Sequence, residues 1–66
     1  MMSDILVIFD YYLQQIKVGR SPIESYGMTK RLMHRAYINR LPEYEYMMTV
    51  NLLDRLTVEL TRQRPD

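Results

Sequence analysis

A chain of 66 residues, 47% of them apolar, with no cysteine and a single histidine, makes at most one domain, and a domain of this size buries only about 60% of the surface its unfolded chain exposes. The composition is too apolar for a disordered chain. It also removes two usual supplements to a small core, because disulfides need cysteine and a structural zinc site needs about four Cys, His or carboxylate ligands. No metal or other cofactor is therefore expected, and oligomerisation is the supplement that remains. The net charge of +1 conceals a segregated pattern. Residues 1–16 carry only Asp4 and Asp10; residues 17–40 carry Lys17, Arg20, Lys30, Arg31, Arg35 and Arg40 against Glu24, a net +5; residues 41–66 carry a net −2. A basic middle third implies an anionic partner or a contact with the acidic parts of the same assembly.

Taken in chain order, the first segment opens with Ser3 as a candidate N-cap and Asp4 at the positive end of the helix dipole. At about 100° per residue, Ile5, Phe9, Tyr12 and Ile16 stack on one line flanked by Leu6 and Leu13. Lys17 and Gly19 mark a C-terminus, which predicts a helix over about 4–18. The β-branched Ile5, Val7 and Ile8 would also suit a strand; the 3.6-residue period, sustained over three turns, decides for the helix. The run Ile5 to Phe9 is also the longest unbroken apolar stretch. It falls far short of the roughly 20 residues needed to cross a bilayer and is shorter than a signal-peptide core. With no cysteine present, a cytosolic protein without a membrane partner is expected.

The segment "SPIES" carries Ser21 as N-cap, Pro22 at the first helical position and Glu24 where a capping box places it. A second helix over about 22–40 follows, with Gly27 open to two readings: one continuous helix, or a single turn over 22–26 and a new start near Met28. Leu41 and Pro42 end it. Pro42, Glu43 and Glu45 suit the start of a third helix, and Arg62 and Arg64 suit its end. That helix should run over about 42–62, roughly 30 Å at 1.5 Å per residue. No repeat or linker is visible, so residues 1–66 form a single all-α, three-helix domain.

The third helix places Met48, Leu52, Leu56, Leu60, Leu53, Tyr46 and Val50 on an arc of roughly 200°, twice the width one core contact requires. Val7, Tyr11 and Val18 form a second apolar strip on the first helix. Scattered surface apolars are normal, but the two excesses together in so short a chain favour a homodimer or another helical partner. Val7, Tyr11, Met48, Leu52 and Leu56 are its expected interface residues. Tyr11, Tyr12, Tyr44 and Tyr46, together with Met28, Met33, Met47 and Met48, suit an adaptable interface or serve as core filler.

On the wheel of residues 28–40, Met28, Leu32, Met33, Ala36 and Tyr37 share one half. Lys30, Arg31, His34 and Arg35 share the other, with Ile38 among them. Lys30 with His34, and Arg31 with Arg35, are like-charge neighbours at i,i+4, each costing a few tenths of a kcal/mol. A face that merely meets water usually mixes signs. Lys30, Arg31, His34, Arg35 and Arg40 are therefore the candidate contacts for an acidic protein partner. Were Gly27 the turn of a helix-turn-helix, Thr29, Lys30, Arg31, His34 and Arg35 would instead face a nucleic-acid groove. Against that, Pro22 leaves the preceding helix only a turn long, and the pI of about 8.1 lies below the value above 9 usual for such domains. A membrane-surface role is disfavoured by Ala and Met on the apolar half. Catalysis is not expected: His34 has cations for neighbours, and no phosphate loop, metal-ligand spacing or nucleophile motif occurs. The expected function is that of a small non-catalytic regulatory or adaptor protein, acting through helical faces as a homodimer, with nucleic-acid binding as the alternative.

Overall fold

The computed structural model describes residues 4–63, which form three α-helices with no strand among them: α1 (Asp4–Lys17), α2 (Pro22–Asn39) and α3 (Glu43–Gln63). The expected boundaries hold to within a residue or two at each end. Ser3 and Arg64, read as terminal signals of the first and third helices, lie outside the described residues.

The local chemistry that ends each helix is visible. Gly19 takes φ +104°, donates its N–H to the Ile16 carbonyl, and is followed by Arg20 donating to Gln15. This paired closure of α1 uses the left-handed conformation that glycine reaches without a Cβ penalty. Ser21 Oγ accepts the Glu24 N–H at 3.1 Å, and Pro22 opens α2. The return half of the capping box does not form, because the Glu24 carboxylate turns to Arg20 at 3.6 Å. At the far end of α2 the Ala36 carbonyl accepts from both Arg40 and Leu41, and this turns Leu41 into the core. Pro42 then accepts the Tyr46 N–H at the start of α3.

α2 is the central element: it packs against both α1 and α3, which meet one another only weakly. The core is Ile8, Tyr12, Met33, Leu41 and Leu53, with Phe9, Ile16, Leu32, Val50 and Leu60 packed partly against it. The expected line of α1, Ile5, Phe9, Tyr12 and Ile16, does meet the core, but its flank is corrected: Leu6 and Leu13 are 57% and 53% exposed while Ile8, on the other side, is buried. The reason is geometric. α1 shares a groove with α2 at Tyr11 and bonds α3 through Tyr12, so its buried side extends round to Ile8 between them.

Four buried positions are polar: Ser25, Thr29, Thr49 and Thr57. Thr29 and Thr49 donate back to the carbonyls of Ser25 and Glu45, each at 2.8 Å. Thr57 Oγ1 shares a 2.7 Å hydrogen bond with the Tyr12 hydroxyl. Only Ser25 Oγ, among the described buried side-chain polar atoms, has no partner.

Candidate interaction face

α2 runs unbroken through Gly27, so the turn that a helix-turn-helix at this position requires does not exist. Thr29, which that arrangement would have turned outward, is fully buried. What the continuous helix does present is one long outward face opposite Ser25, Thr29 and Met33. Lys30, Arg31, His34 and Arg35 are all exposed on it. At about 100° per residue Gly27 falls between His34 and Arg31, in the middle of the basic surface.

The described ion pairs lie elsewhere: Arg20 with Glu24, Asp4 with Arg40 at 3.7 Å, and Glu59 with Arg62 at 3.2 Å. None of the four side chains of the face takes part in one. Lys30 has an aromatic contact, its ammonium lying 5.7 Å from the centre of the Tyr26 ring, which is within range of a cation–π attraction. Arg40 does not join the row. It stands at the end of α2 and meets Arg35 only across a groove on the α1 side, where Asp4 offsets its charge.

Each flank of the basic ridge is a groove with a tyrosine in its wall. On the α1 side, Tyr11, Met28, Leu32, Arg31 and Arg35 enclose about 230 Å³. On the α3 side, Gly27, Lys30, His34, Arg31, Arg35 and Tyr46 border about 540 Å³. Tyr46 is fixed by stacking on Tyr37, with ring centres 4.6 Å apart. Tyr37 in turn donates to Glu43 at 3.2 Å. The bond to the Glu43 carboxylate, followed by the negative charge itself, raises the Tyr37 pKa above that of an ordinary tyrosine.

The five residues expected at an oligomer interface are divided between α1 and α3. Tyr11 is half-buried against α2, and Val7, one turn earlier, is exposed on the same side of α1. Met48 and Leu52 are exposed on α3 and line a separate shallow groove with Asn51 and Arg55. Leu56 packs partly against the core. Gly27 and Tyr46 border the face without being among the residues expected on it. Gly27 could have been found, because its wheel position already lay between His34 and Arg31. Tyr46 could not, because its place depends on how α3 crosses α2.

Among the described residues no group of three or more His, Cys, Asp or Glu side chains could hold a metal ion, and no helix is long and apolar enough to cross a membrane. Comparison with family models, with curated protein sequences and with solved structures finds no match for this chain.

Proposed function

We propose that the protein is a small non-catalytic interaction module, a regulator or adaptor, whose α2 face docks on an acidic protein partner. The observation that carries this reading is the row Lys30, Arg31, His34 and Arg35, side by side on an exposed helix and with no carboxylate partner among the described residues. Like charges at i,i+4 cost the isolated helix a few tenths of a kcal/mol, a cost that an acidic partner would reverse. Charges of this kind steer encounter and select partners more than they supply affinity. Affinity would come from apolar neighbours, and Ile38 stands exposed among the cations. A cytosolic setting and a homodimer built on the exposed side chains of α1 and α3 belong to the same reading.

The test is a parallel affinity purification of the wild-type chain and the Arg31→Glu/Arg35→Glu double variant, with and without nuclease. A defined protein recovered by the wild type, resistant to nuclease and lost with the variant, is the expected result. Identical recoveries from both would overturn the proposal. Recovery that vanishes with nuclease and falls steeply with added salt would point to nucleic acid as the target.

A further inference from the structure

Gly27 lies in the interior of a continuous helix, with ordinary helical backbone, and a Cβ built on it would meet nothing within 4 Å. A glycine inside a helix costs about 0.5–1 kcal/mol relative to alanine. The fold itself gives no reason for it: no turn, no positive φ and no crowding neighbour. A missing side chain on an open helical face becomes useful when something outside the chain approaches that face closely.

The surroundings identify what approaches. Ile23, Gly27, Lys30, Arg31, His34 and Ile38 follow one another along one side of α2, about 22 Å at 1.5 Å per residue. The stripe is apolar at both ends, where Ile23 and Ile38 are 66% and 68% exposed. It is cationic in between and has its only gap at Gly27. Beside that gap the α2–α3 groove is walled by Tyr46. A phosphate backbone would use the cations but would have no use for two exposed isoleucines. A protein helix with carboxylates facing the cations and apolar residues reaching the isoleucines and Tyr46 uses every part of the stripe.

We infer that the α2–α3 groove receives an acidic amphipathic helix of the partner, whose backbone crosses α2 at Gly27. The inference rests on the reading of the α2 face as the interaction surface and adds the form of the partner and the point of closest approach.

The experiment is an NMR titration of the ¹⁵N-labelled full chain with a synthetic peptide of about 18 residues, long enough to match the stripe at 1.5 Å per residue. It carries glutamates on one helical face and leucines beside them. A scrambled peptide of the same composition and a short DNA duplex serve as comparisons. The amides of Gly27, Lys30, His34 and Tyr46 are expected to shift with the patterned peptide. Gly27→Ala should weaken binding several-fold and Gly27→Leu at least tenfold, with thermal melting confirming that both variants fold. Equal binding of the scrambled peptide, tighter binding of the duplex, no shifts at millimolar peptide, or wild-type binding by Gly27→Leu would each overturn the inference. If Arg31→Glu/Arg35→Glu loses the purified partner while Gly27→Leu keeps it, docking through the basic face stands and the helix crossing at Gly27 falls.

Discussion

The side chain with the clearest energetic signature is Ser25, whose buried hydroxyl has no hydrogen-bond partner among the described residues. An unsatisfied buried polar group costs about 1–3 kcal/mol, and alanine is the better helix former. Ser25→Ala is therefore expected to stabilise the protein by about 1 kcal/mol, a rise in Tm of roughly 4–8 °C for a domain of this size. Thermal unfolding followed by circular dichroism checks this, and a lower Tm would refute it. Tyr37 gives a prediction in pH. Its folded-state pKa is raised, first by the hydrogen bond to Glu43 and then by the carboxylate's charge. The protonated phenol is thus favoured in the folded protein. That contribution is fully present below the ordinary tyrosine value of about 10 and is lost as pH rises through the higher folded value. An absorbance titration of phenolate should lose a late-titrating component in Tyr37→Phe.

At the scale of the helices, the two glycines predict opposite outcomes for one substitution. Gly19→Ala places a Cβ at φ +104° and should destabilise by about 1–2 kcal/mol, the cost of a left-handed L-residue. Gly27→Ala adds a helix former where nothing stands in its way and should stabilise by about 0.5–1 kcal/mol. Denaturant melts of the two variants, compared at equal m-value, decide both signs. The contrast also marks how much was legible in the sequence. Ser21, Pro22, Gly19 and Pro42 act within one or two turns of themselves, so they could be read locally and place the helix ends correctly. The division of α2 into packed and basic halves was legible for the same reason, since it depends only on helical period, although Tyr37, expected in the packed half, is exposed at its edge. The rotation of α1 toward Ile8 was not, because it is set by the directions of two other helices. The burial of Thr29, Thr49 and Thr57 was missed because their hydroxyls are satisfied by bonds that a polarity pattern does not register.

For the whole molecule, the elongated body of 39 × 20 × 18 Å leaves Leu6, Leu13, Met48 and Leu52 each about half exposed. If these side chains are covered by a second copy, light scattering should report twice the 8.0 kDa of one chain, and Leu52→Glu should return it to the single-chain mass. A single-chain mass for the wild type at high concentration would remove the homodimer from the proposed function. The hydrogen bond between Tyr12 and Thr57 has a consequence of another kind. It joins residues 45 positions apart, whereas the α1–α2 and α2–α3 pairs are hairpins closed by short turns. Contacts close in sequence are the less costly to form, and long-range ones come after the loop entropy has been lost. The two hairpins should therefore be largely built when the chain crosses its folding barrier, with the seam between α1 and α3 closing afterwards. Removing that bond with Tyr12→Phe should then leave the refolding limb of the chevron almost unmoved and speed unfolding. Tyr12 and Thr57 would thus act as a latch, governing how long the native state persists more than how fast it is reached.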